Sequence, residues 1–130
     1  MESGCAAVPQ GASFAAILCQ FEALLAQVNA SSALGTLQTR LATTLTKGHD
    51  RTVEAHDVCA SASAKHAKKR LKEANRYVIQ YAHDLSTLSA RKKLGATSPL
   101  RMGLLAPVAS LKANLHSLQG TLRCPADAAP

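Results

Sequence analysis

Apolar residues recur along the chain at alternating intervals of three and four, the spacing that gathers side chains on one face of an α-helix. Phe14, Leu18, Phe21, Leu25 and Val28 form the first such row. Ser13 precedes it, and its hydroxyl suits an N-cap, so the pattern predicts a helix over 13–28. Asn29-Ala30-Ser31-Ser32 reads as a turn, with Ser31 or Ser32 capping a second helix over 33–60. The row of that helix is Leu34, Leu37, Leu41, Leu45, Gly48, Thr52, Ala55 and Cys59, in which Gly48 marks a hinge or a point of close approach. Beyond Ser61-Ala62-Ser63, the row Ala67, Leu71, Ala74, Val78, Tyr81, Leu85 and Leu88 predicts a third helix over 64–93. Gly95 then stands where a helix commonly stops. Ser98-Pro99 places proline at a first helical position. Leu104, Val108, Leu111, Leu115, Leu118 and Leu122 carry a fourth helix over 99–122, with Pro107 inside it to kink it or open a hydrogen bond.

Four amphipathic segments with short connections predict an all-α fold, an antiparallel up-down four-helix bundle. Residues 1–12 form an N-terminal arm and 123–130 a C-terminal tail. No strand-like alternation of useful length and no internal repeat interrupts the scheme. Tyr77 and Tyr81, one turn apart, are placed to pack on one another at the edge of the core. Only four aromatic residues occur, with no Trp, so the core must be built from Leu, Ala and Val. The longest apolar runs are a few residues, too short to cross a bilayer.

The chain of 130 residues carries four cysteines, Cys5, Cys19, Cys59 and Cys124. None is close enough to another for a CxxC metal site. An even number at wide spacing in a small chain points to two disulfides and an oxidising compartment. In an up-down bundle the end of the second helix and the tail after the fourth fall at one pole, which predicts Cys59–Cys124. Cys5–Cys19 then ties the arm to the first helix. A Cys19–Cys59 bridge would need the second helix to bend back, with Gly48 the place for it. Residues 1–11 lack the basic and apolar regions of a signal peptide, so an exported protein would be present here as a mature form or an excised domain.

The formal net charge is +7, and the excess is local. Lys65, Lys68, Lys69, Arg70, Lys72 and Arg76 face a single acid, Glu73, in their segment, and Arg91, Lys92, Lys93 and Arg101 follow without one. The first cluster opens a helix, where the helix dipole disfavours cations, and is the candidate anion-binding site. Arg91, Lys92 and Lys93 of the second sit at the expected end of the third helix, where a structural role suffices. Contacts to nucleic acid or an anionic glycan would be electrostatic and without sequence preference.

Other chemistry finds no footing. His49, His56 and His83 each precede an Asp, but neighbours on a helix point about 100° apart and such dipeptides are not bonded pairs by default. His49 and His56 lie two turns apart, too far for one metal ion on one helix, and His66 and His116 add no ligand spacing. The motifs GxSxG, GxxxxGK and GxGxxG are missing, and no close pair of carboxylates is forced. No catalytic residue, metal or cofactor is therefore assigned. Asn29-Ala30-Ser31 matches the N-glycosylation acceptor pattern, which carries weight only in a secreted eukaryotic chain.

Around the third helix, Ala64-Lys65-His66-Ala67-Lys68-Lys69-Arg70-Leu71-Lys72, then Val78-Ile79-Gln80-Tyr81-Ala82-His83 and Leu88-Ser89-Ala90-Arg91-Lys92 resemble a helical module of secreted bacterial proteins. That module has a lysine-rich start, an I-Q-[FY] centre and an [LR]-S-x-[AK]-[AG]-R-K end. Cys19, in a C-x-[FL]-x-x-L setting, and Cys59, ahead of the basic helix, resemble its upstream cysteines, which loosely associates those two. The resemblance covers residues 13–124. It implies export, in the periplasm, at the cell surface or outside the cell, and a helical fold, but no activity. The expectation is a non-enzymatic structural or interaction module, its partner open between a protein and a polyanion. The alternative is a polyanion-binding module using the basic start of the third helix.

Overall fold

The computed structural model describes residues 12–61, 63–87 and 99–125, and among these every regular element is helical. α1 spans Phe14–Asn29, α2 Thr36–Ala60, α3 Ala64–Ser86, α4 Pro99–Leu105 and α5 Val108–Thr121, with a 3-10 turn at Ser32–Leu34. None of these helices is long and apolar enough to cross a membrane. The arm up to residue 11, including Cys5, the second basic cluster at Arg91, Lys92 and Lys93, and residues 126–130 lie outside the described residues.

α1 begins as its sequence predicts: the Ala16 amide donates to Ser13 Oγ at 3.1 Å, satisfying one of the orphan donors of the first turn. Its buried face is turned from the expected row. Phe14, Ile17, Phe21, Leu24 and Val28 are buried, whereas Leu18 and Leu25 are only half-buried. Both rows are apolar, and the neighbouring helices settle which one is central.

The second helix starts three residues later than expected, and neither Ser31 nor Ser32 caps it. Ser31 Oγ instead donates back to the Gln27 carbonyl at 2.7 Å. The chain makes a 3-10 turn and reverses at Gly35, whose φ of 59° is costly for a residue with a Cβ. Gln38 then reaches back, its Nε2 donating to the Val28 carbonyl at 2.9 Å, and so ties the first turn of α2 to the end of α1.

α3 stops at Ser86, seven residues short of the expected end at 93, with Thr87 extended (φ −65°, ψ 157°). The carbonyls of the last turn have side-chain partners in place of a further turn of amides. Thr87 Oγ1 donates to Asp84 O at 3.1 Å and Arg101 Nε to Leu85 O at 2.7 Å. The fourth helix is broken rather than kinked. Pro107 has no N–H to continue the ladder, so α4 closes with Ala106 N to Met102 O at 2.9 Å and α5 opens with Leu111 N to Pro107 O at 3.0 Å.

α1 and α2 run antiparallel: Phe14 meets His56 edge to face at 5.2 Å between ring centroids, and seven residues on Phe21 meets His49 at 6.4 Å. α2 packs chiefly on α1 and α3, and α5 on α3 and α1, which closes the bundle around Phe21, Ile17, Leu45, Leu71, Tyr81 and Leu115. Gly48 is a close-approach point and not a hinge. α2 runs unbroken through it, and a Cβ there would lie 2.7 Å from Cε1 of Phe21. Tyr81 is fully buried and its hydroxyl donates to Leu104 O at 2.8 Å. Burial pushes this phenol above its ordinary value, so it stays protonated as that donor. Tyr77 is half-buried on the side facing Arg51.

Cys59 and Cys124 form a disulfide, with Cα atoms 4.8 Å apart. This is the predicted tie between the end of α2 and the tail after α5. It excludes the Cys19–Cys59 bridge that the resemblance associates. Cys19 is buried and is not a free thiol.

Candidate anion-binding cleft

The basic start of α3 divides into two surfaces, because each step along a helix turns a side chain by about 100°. Ala67, Leu71, Ala74 and Val78 take the buried face. Lys65, Lys68, Lys69 and Lys72, spaced at three, one and three, fall along one flank, and all four are exposed. Across from them stand His116, Gln119 and Gly120 of the last turns of α5, and together they line an open cleft of about 480 Å³. Among the described residues no acidic one lines it. The four lysines therefore share one flank, where only Lys69 also acts on the Glu73 carboxylate, in the first turns of a helix whose dipole disfavours cations.

Arg70 and Arg76 lie on the other flank, facing α2, with Arg51, Glu73, Tyr77 and Gln80 around a groove of about 400 Å³. Arg70 does not belong with the lysines, because its charge is already matched. Its Nη1 donates to Glu73 Oε1 at 3.0 Å and its Nε is 3.5 Å from Glu54 Oε1. Arg51 completes the set, with Nη1 donating to both Glu54 oxygens at 2.7 and 2.8 Å and Nε 3.6 Å from Glu73. Two arginines and two glutamates thus alternate in a closed ring between α2 and α3. Arg76 is exposed beside this ring. The sequence reading missed Arg51 and Glu54 in this role, as well as His116 and Gln119 in the cleft. The signal lay in the paired i, i+3 spacings Arg51/Glu54 and Arg70/Glu73, which an antiparallel hairpin brings face to face.

In the ring, the hydrogen bond from Arg70 is the main cause holding the Glu73 carboxyl below its ordinary value, and the charges of Arg70 and Arg51 add to it. A depressed carboxyl stabilises the fold above its unfolded value and loses that contribution as pH falls through the folded one. Unfolding midpoints in urea are therefore expected to drop as pH is lowered from neutral to about 3, with part of that drop absent in Glu73→Gln. The effect is small, because the group is partly exposed and solvent screens it.

Three of the five histidines hold structural places. His49 packs on Phe21 with Nε2 3.3 Å from Glu22, and His56 packs on Phe14. Their following Asp residues stand 3.6 and 3.5 Å away, beyond good hydrogen-bond geometry. His66 Nδ1 pairs with Ser63 Oγ at 2.6 Å at the start of α3. Among the described residues no group of three His, Cys, Asp or Glu side chains is placed to hold a metal ion. Arg101 of the second basic cluster is spent on the end of α3, as above.

Compared with protein-family models, curated proteins and solved structures, the chain finds no match in any of the three.

Proposed function

We propose that this chain is a non-enzymatic helical interaction module of an exported bacterial protein, stapled by Cys59–Cys124 and by a second bridge, Cys5–Cys19. The observation that carries this reading is the disulfide at Cys59, whose side chain is fully buried. Structural disulfides persist in oxidising compartments and are rare where thiols are kept reduced. The resemblance around α3 supports the same compartment. Titration of the denatured protein, isolated from its own host without reductant, should find no free thiol, and all four after reduction. A non-reduced peptide map should link Cys59 to Cys124 and Cys5 to Cys19. Four free thiols before reduction would overturn the exported reading.

A second reading gives the module a surface to work with: polyanion binding along the α3–α5 cleft. Four exposed lysines with no acid among the described lining residues favour it. Wild-type protein is expected to stay on a heparin column at about 50 mM salt, where screening is weak. Replacing Lys65, Lys68, Lys69 and Lys72 with Gln should move elution to distinctly lower salt, since each lost contact lowers the salt dependence of binding. Elution of both proteins at the same salt would return the lysines to the role of a solvated face.

A further inference from the structure

We infer that the occupant of the lysine cleft is a linear anionic polysaccharide, bearing carboxylate or sulfate on successive sugars, and not a nucleic acid. The inference rests on the polyanion reading above and adds the class of ligand.

The aromatic residues decide against single strands. Proteins that bind single-stranded nucleic acid without sequence preference stack bases on aromatic side chains, at about 1–3 kcal/mol per base. The chain has four aromatics in all. Phe14, Phe21 and Tyr81 are buried in the core, and Tyr77 lines the groove on the opposite flank of α3. None is available to the cleft. Arginine grips phosphate and carboxylate alike through two parallel hydrogen bonds, whereas lysine acts on either as a point charge. Here Arg51 and Arg70 are tied to Glu54 and Glu73, and lysines line one wall of the cleft without an arginine among its described residues, a set that does not select phosphate over sulfate or carboxylate. A major groove admits a single helix carrying its readers on the exposed side. In this bundle the lysine flank is one wall of a trough, with α5 as the other.

What the cleft does offer suits a sugar chain. The lysines run as a line about 10 Å long at 1.5 Å per residue, which matches a chain carrying charge at regular intervals. Facing them, Gln119 supplies an amide that both donates and accepts, as ring hydroxyls do, and His116 adds a polar edge beside it. Charge along one wall and hydrogen-bonding groups along the other is the arrangement an anionic glycan presents in complement.

The experiment measures binding of the full chain by calorimetry at about 50 mM salt, where ionic contacts are strongest. The ligands are a sulfated heparin hexasaccharide, an oligogalacturonate, an oligothymidylate of equal charge and a short DNA duplex. The expected result is binding to both glycans at least about tenfold tighter than to either nucleic acid, because the electrostatic part is shared. Lys68→Gln with Lys72→Gln should weaken glycan binding several-fold. Arg40→Gln with Lys47→Gln, the same loss of charge at exposed positions of α2, should weaken it far less. Gln119→Ala should weaken glycan binding without changing its salt slope. All variants alter exposed or half-exposed side chains, and unchanged melting curves serve as the fold control. Nucleic acid binding as tight as glycan binding, or tighter, overturns this inference and leaves the polyanion reading in place. Equal losses in the two double variants also overturn it, since binding would then follow net charge alone. Failure to bind any of the four overturns both readings.

Discussion

Replacing Cys59 and Cys124 together with alanine is expected to lower the free energy of unfolding by about 4 kcal/mol while leaving most of the helical content in place. The bridge spans 65 residues of sequence, and closing a loop of that length removes about this much chain entropy from the unfolded state. The bridge ties only the end of α2 to the segment after α5. The leucine rows of α1, α2, α3 and α5 are buried without it, with Ile17, Leu45, Leu71 and Leu115 all at 0% exposure. Circular dichroism with urea titration measures both quantities. A coil spectrum in the reduced or substituted protein at room temperature would show that the bundle depends on its disulfide and that the apolar rows are too weak to hold it.

The second large effect centres on Phe21. Its side chain is fully buried between α1 and α2, so Phe21→Ala should cost about 3–5 kcal/mol through lost burial and the cavity left behind. Gly48 supplies an internal check. In the wild-type protein Gly48→Ala gains about 1 kcal/mol of helix propensity. It also sets a Cβ 2.7 Å from Cε1 and 3.0 Å from Cζ of Phe21. The ring is enclosed by core on its other sides and must shift, which costs about 1–3 kcal/mol, so the clash wins and the variant is destabilised. With Phe21→Leu in place there is no ring to strike, and Gly48→Ala should become neutral or stabilising. Urea midpoints of the two single variants and the double variant measure this coupling. Additive effects would mean that the ring and Gly48 do not meet.

The parts of the fold that were legible are those set by local chemistry. Ser13 caps α1, Pro99 opens α4 and the 3-4 rows identify each helix, because these features act within a turn or two. The end of α3 was not legible. The apolar row continues to Leu88, and the stop depends on Arg101 reaching back 16 residues to the Leu85 carbonyl. The choice between Ile17/Leu24 and Leu18/Leu25 was hidden for the same reason, since the neighbouring helices make it. At the cleft, the run from Lys65 to Arg76 looked like one patch because a linear reading ignores the turn of the helix. Lys69 and Arg70 are adjacent in sequence and face opposite grooves. Arg70 is matched by Glu73 one turn on and again by Glu54 of α2, a second partner that depends on the register of the α2–α3 pair.

The α3–α5 cleft as the working surface is tested most directly by following backbone amide shifts while a sulfated hexasaccharide is added at low salt. The largest shifts should fall on Lys65, Lys68, Lys69 and Lys72 of α3 and on His116, Gln119 and Gly120 of α5. Arg51, Arg76, Tyr77 and Gln80, across α3 in the opposite groove, should stay in place. Shifts centred on that opposite groove, or none at all under conditions that favour ionic contacts, would contradict the assignment.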